Sequence, residues 1–302
     1  MSGDDVHPRV PDHDDRAHDV PLDGPKRTEA TRVTGANASR SARVVLAVAG
    51  AGFRRYSTYR QATVAGAFTN TVFGFMRCYV LLSVAGVAGE AGGYDRAQLA
   101  TFVWVGQGLL SVVNFWNQLD LAERVRSGDV VSDLLRPMDL MTTYVATDAG
   151  RAAYAMLTRF VVPVGVGMLA FGLYLPANPV AYLAFAVSVA MAVVICSLCR
   201  YLVGLTAFWL LDVRGVSMLW MFAAGAGSGL YFPLPLLPDW LVTLLWVATP
   251  FPALLQAPLD VLVERGPAGP LLAGQLAWLA VTVVLARIVQ RRGLRRLVIQ
   301  GG

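Results

Sequence analysis

The sequence predicts an all-α integral membrane protein of six transmembrane helices. An N-terminal interfacial helix precedes them, and short membrane-dipping helices lie between spans five and six. Three observations predict it. First, 56% of the 302 residues are apolar and only 15% charged, with a mean hydropathy of +0.54; soluble domains carry about 45–50% and about 25%. Second, the apolar residues gather in blocks of roughly 20 residues, the length that crosses a hydrocarbon core, where a core helix needs about 10–14. Third, the arginines flank those blocks asymmetrically, as topology requires. A secreted disulfide scaffold, a soluble two-domain enzyme and a disordered chain are excluded.

Residues 1–40 hold all three histidines (His7, His13, His18) and eight of the 20 acidic residues. Such a segment buries too little apolar surface to offset its ordering entropy, so a disordered cytoplasmic tail is expected. Residues 41–61 mix apolar side chains with Arg43, Arg54, Arg55 and Arg60. An arginine at the centre of a span costs about 2.5–3.5 kcal/mol, which favours an interfacial amphipathic helix here. Six blocks then qualify as spans, near 63–88, 97–116, 156–174, 179–201, 214–232 and 270–289, within a transmembrane domain of 62–290. Between the last two, Pro233, Pro235, Pro238, Pro250, Pro252, Pro258 and Pro267 punctuate apolar runs too short to cross, as short dipping helices would require.

With both ends in the cytoplasm, the inner segments hold Arg124, Arg126, Arg136, Arg151, Arg200, Arg214, Arg287 and the basic 291–302 terminus, and the outer ones only Arg96 and Arg265. That bias favours an even number of spans. The net charge of +5 does not point to nucleic acid, because these arginines edge apolar blocks instead of forming a basic face, and Lys26 is the sole lysine. Cys78, Cys196 and Cys199 fall in apolar blocks, where they act as small hydrophobes, and no metal site is expected.

The chemistry that is missing narrows the function. No histidine lies in the spans to serve as a base, no span shows a carboxylate near its middle, and no GxxxxGK loop is present, so this chain is not expected to be an enzyme or to bind a cofactor. The connection between spans two and three reads LAERVRSGDVVSDLLRPMDL (121–140). Ser127 is placed to cap a short helix, with Asp129 in its first turn. Val130, Val131, Leu134 and Leu135 share one side, and Pro137 takes Arg136 out of helical geometry. A compact cytoplasmic knob results, which serves either to pack on its own bundle or to dock a partner.

The segment Gly128–Asp129–Val130…Leu134–Leu135–Arg136–Pro137 resembles the "G…LLRP" signature between spans two and three of bacterial ABC-2 type transporter permeases. It is most similar to a six-span branch related to antibiotic and daunorubicin-type exporters. Pro250–Phe251 after span five, Gln275 with Trp278 in span six, and the terminal Gly301–Gly302 resemble further family features, so the likeness runs from about residue 50 to the end. The resemblance implies a permease subunit that pairs with a second permease, identical or sister, in the bacterial plasma membrane. It also implies two copies of a separate ATP-binding subunit that hold ATP–Mg. The 121–140 knob would then be the coupling element, and an amphipathic or lipid-like cargo is expected by analogy. Without the resemblance, a polytopic scaffold or receptor and a passive channel remain open.

Four polar residues share helix faces in pairs, Asn70 with Arg77 in span one and Gln107 with Asn114 in span two. They are candidates to line a translocation path or to hydrogen-bond between helices. Gly225 and Gly229 form a small-xxx-small stripe that is a candidate for close helix packing.

Overall fold

The computed structural model describes residues 27–58, 60–88, 90–116, 120–136, 138–210 and 212–296. The chain divides into two units, 1–43 and Val44–Gly302, each taken by itself. In the first, the described part is the start of α1 (Arg27–Ser57). The expected tail is therefore helical from Arg27, and its first 26 residues lie outside the described set. Composition measures how much surface a segment can bury, and that quantity does not forbid a polar stretch from continuing a helix.

The second unit is helical throughout its described residues: α2 (Arg60–Ala88), α3 (Arg96–Val113), α4 (Leu121–Ser127), α5 (Val130–Leu134), α6 (Leu140–Ala155), α7 (Val161–Phe171), α8 (Pro179–Leu205), α9 (Arg214–Gly227), α10 (Asp239–Ala248), α11 (Gln256–Leu262) and α12 (Ala268–Leu294). Local chemistry fixes the starts of several. Asp95 caps α3 by accepting from Gln98 N (2.8 Å) while Gln98 Oε1 accepts from Asp95 N (3.0 Å), a reciprocal capping box. Asn178 accepts from Val180 N (2.9 Å) ahead of Pro179, the first residue of α8, where the missing proline N–H costs nothing. Asp139 caps α6 through Thr142 N (3.1 Å).

Among the described residues, four helices are long and apolar enough to cross a membrane: Thr63–Gly86, Leu140–Phe171, Pro179–Phe208 and Ala268–Leu294. The third expected span is thus one continuous helix starting at Leu140 rather than near 156, with a π turn at Met156–Phe160 joining α6 to α7. Asp148 and Arg151 had lowered the hydropathy of its first half. The second expected span, α3, has 18 residues and is enclosed by protein, with 14 of them buried. Trp104 on it is wedged between Gly74 of α2 and Gly167 of α7, where any Cβ would collide with the indole. The fifth, α9, stops at Gly227 after 14 residues, short of the 214–232 block, because the residues beyond turn into the proline-rich excursion.

That excursion enters the fold and returns to the same end. α10 runs inward until Trp246 O accepts from Trp278 Nε1 (3.2 Å), about three turns into α12. Ala253 O then accepts from Gln275 Nε2 (2.8 Å), and α11 leads back until Val263 O accepts from Gln98 Nε2 (2.9 Å) at the start of α3. Gln275 is fully buried and also bonds Ser188 of α8 (2.7 Å).

α1 does not lie free of the bundle after residue 44. Gly52 and Gly150 make the crossing: a Cβ at Gly52 would overlap the Thr147 backbone, and one at Gly150 the Ala49 carbonyl and Phe53 amide. Phe53 meets the Tyr154 ring edge-on at 5.4 Å. The basic end at 291–302 continues α12 as far as Leu294, and residues 297–302 lie outside the described set.

Candidate functional site: the knob and the ion network behind it

α4 and α5 form the knob at the end of the bundle where α3 stops and α6 begins. Its turn is made by Gly128, whose φ of +82° is open to glycine at no steric cost. Ser127 ends α4 and does not cap α5 with its first-turn amides; its hydroxyl donates to Asp129 Oδ2 (2.9 Å), and Asp129, the residue before α5, makes no side-chain cap. The knob is clamped from within. Asp133, nine-tenths buried, is bonded by Arg124 Nε (2.5 Å) and stands 3.6 Å from Arg136 Nη2, while Arg124 Nη2 reaches Asp129 O (3.3 Å).

The apolar side expected of this segment is split. Val130 is wholly buried, packed with Leu121, Leu140, Leu198 and Leu205, and is therefore an anchor, not an outward contact. Helical spacing groups it with its neighbours, but the chain reversal at Gly128 aims it at α8. Val131, Leu134 and Leu135 are exposed, Leu135 by 83%. Arg136 is also exposed. Pro137 lies outside the described residues. Leu121 of α4 packs on Gly204 of α8, and Asp139 pairs with Arg287 Nη1 of α12 (2.7 Å), so the knob rests on the ends of two long helices.

Behind it sits a group that sequence reasoning missed. Asp148 of α6, 4% exposed, receives Arg151 Nε at 2.6 Å and Arg200 Nη2 of α8 at 2.5 Å. Arg151 also donates to Ser111 O and Val112 O at the end of α3 (2.8 Å each). One carboxylate thus ties three helices together. The i, i+3 pairing of Asp148 with Arg151 was readable, but with the span placed at 156 both fell in a loop. The expectation is of no carboxylate near the middle of a span; Asp148 lies inside the Leu140–Phe171 helix, closer to its start than to its middle.

Of the four polar candidates, Asn70 and Arg77 bond other elements through their side chains. Asn70 Nδ2 donates to Gln107 O (3.2 Å) and Ser111 Oγ (3.3 Å), linking α2 to α3. Arg77 Nε donates to Tyr231 O (3.3 Å). Gln107 is 1% exposed, with its Oε1 unbonded among the described residues. Asn114, at φ 54°, closes α3 through its N–H to Leu110 O (3.0 Å). Gly225 packs on Tyr231, and Gly229 lies past the end of α9 at φ +82°, where a Cβ would overlap Gln256. The stripe therefore packs against its own chain.

At the opposite end, Asp260 of α11 is 3% exposed and accepts from Tyr94 OH and from Gln256 Nε2 (3.0 Å to each oxygen). Burial lifts its carboxyl to about 6, although these hydrogen bonds and the Arg265 charge pull it down; burial and Asp260 together raise Tyr94. A carboxyl whose native value lies above the ordinary 3.8 favours the fold most at low pH, and that contribution is lost as pH rises towards 6. Asp260→Asn should therefore remove roughly 3 kcal/mol of pH-dependent stability between pH 4 and 7. Melting of the detergent-solubilised protein across that range measures it, and parallel curves for wild type and variant would contradict the assignment.

Together, spanning-length apolar helices and an inward-dipping excursion define a helical membrane protein. Residues 68–301 match the family model described as ABC-2 family transporter protein. The chain belongs to that family and is a permease-type membrane component of an ABC transporter. No curated protein matches it.

Proposed function

We propose that this chain is the membrane subunit of an ATP-driven exporter in the bacterial plasma membrane, with ATP–Mg held by two copies of a separate ATP-binding subunit. α2, α3, the α6–α7 helix, α8, α9 and α12 make six crossings, and both termini face the cytoplasm with the arginine-rich side. A second permease, identical or sister, completes the path for an amphipathic or lipid-like cargo. The observation that carries this reading is the division of the knob: Val130 buried as a root and Leu134 and Leu135 held outward on a clamped turn. An apolar pair presented in this way supports a docking role, because a segment serving only to pack on its own bundle would bury both leucines.

The movement proposed is mechanical. Closure of the ATP-binding subunits pushes α4–α5, and the push passes through Leu121 to α8 and through Asp139 to α12. Reconstitution tests it. Vesicles holding the chain together with its ATP-binding subunit should accumulate a fluorescent amphiphile only with hydrolysable ATP. Vectorial movement by the chain alone would refute the reading, as would labelling of a Leu135→Cys variant from the outer face of intact cells.

A further inference from the structure

The end of the bundle remote from the knob holds a cavity of about 440 Å³, within the usual size of a small-ligand site. Its walls are unlike one another. Val242 and Trp246 of α10 and Leu271 of α12 supply an apolar side, while Asp239, Asp260 and Arg265 supply a charged one. Asp260 is taken up by Tyr94 and Gln256. The other two charges are not. Among the described residues neither Asp239 nor Arg265 is in a direct ion pair, and Arg265 acts on Asp260 only through its field. Arg265 is stacked on the Tyr94 ring with its guanidinium carbon 4.8 Å from the centroid, and its Nε is buried with no hydrogen-bond partner.

A carboxylate and a guanidinium on one cavity, neither closed into a direct ion pair, offer contacts to a ligand that carries both signs. We infer that this cavity binds the zwitterionic headgroup of an amphiphile, its ammonium at Asp239, its phosphate or carboxylate at Arg265 and its apolar part along Val242, Trp246 and Leu271. A guanidinium offers a planar fork matched to phosphate or carboxylate oxygens, and a carboxylate accepts charge-assisted hydrogen bonds from an ammonium. A purely cationic ligand would be repelled by Arg265, and a purely anionic one would meet Asp239. The stacking on Tyr94 fixes the guanidinium before the ligand arrives, which lowers the ordering cost of binding. The inference deepens the proposed function by naming a cargo or lipid chemistry, but the binding itself needs neither ATP nor a partner subunit.

The test uses the full chain in detergent, exchanged against mixed micelles of phosphatidylethanolamine, phosphatidylglycerol and a trimethylammonium-propane lipid, with retained lipid counted by native mass spectrometry. Phosphatidylethanolamine should be retained preferentially, and Asp239→Asn and Arg265→Gln should each lower its retention about tenfold, as loss of one charge-assisted contact implies. Asp239 is exposed at the start of α10, so its isosteric variant keeps the test valid should the Arg265 variant fail to fold. Preferential retention of the anionic or the cationic lipid overturns the inference. So does equal binding of water-soluble phosphoethanolamine, which lacks the apolar part. Because these readouts involve no transport, failure here leaves the exporter reading standing, and failure of export leaves this one standing.

Discussion

Replacing Leu134 and Leu135 together by aspartate should abolish association with the ATP-binding subunit, and with it ATP-driven transport, while the protein still inserts and purifies as wild type. The two side chains are 38% and 83% exposed, and substitutions at such surface positions usually change stability by no more than about 0.5 kcal/mol. At the centre of a docking surface the same change is far larger. Two apolar anchors replaced by charges cost about 2–4 kcal/mol or more, roughly thirtyfold to several hundredfold in affinity. Val130 is the contrasting position: it is wholly buried, so its replacement by aspartate should damage folding before it touches coupling. Co-purification from membranes measures the first effect and thermal melting the second. Unchanged association of the double variant would refute the coupling role of the knob.

The second large effect is at Asp148. Removing its carboxylate in Asp148→Ala takes the shared counter-ion from two guanidinium groups, Arg151 and Arg200, each 3% exposed, at the junction of α3, α6 and α8. Taking one partner from a buried ionic group typically costs about 3–5 kcal/mol, because the remaining charge keeps its desolvation penalty and loses its compensation. The variant should melt well below wild type or fail to accumulate. Replacing Asp148, Arg151 and Arg200 all by leucine should cost less than the single change, since apolar groups of similar size need no compensation. Equal melting of Asp148→Ala and wild type would show that the network does not hold these helices.

These two sites also mark what could be read from the chain. The knob was legible because its signals are local: a glycine able to take positive φ, a run of leucines at helical spacing and a proline stop. Which leucines face out was not legible, because that depends on the reversal at Gly128 and on where α8 lies. The Asp148 network was hidden by its own charge, which argued for a loop in any hydropathy reading, while its neutralising partner Arg200 lies 52 residues away. Gln275 and Trp278, first noted only as family marks, acquire a physical role: each bonds a carbonyl of the dipping excursion, Ala253 and Trp246 respectively. Proline density located that excursion between the last two blocks, but nothing local revealed that it returns to the end it entered from. α9 was read too long because its apolar run continues past Gly227 into residues that turn.

One consequence of the enclosed α3 concerns how the protein is made. With Arg96, Gln98 and Gln107 in a helix of 18 residues, α3 is too polar to leave a translocation pore for lipid by itself, since each ionic or amide side chain taxes partitioning. Its neighbours must act as its solvent. Biogenesis should therefore hold α3 at the pore beside α2 until the continuous α6–α7 helix has emerged, so that the most central helix settles only after a later one.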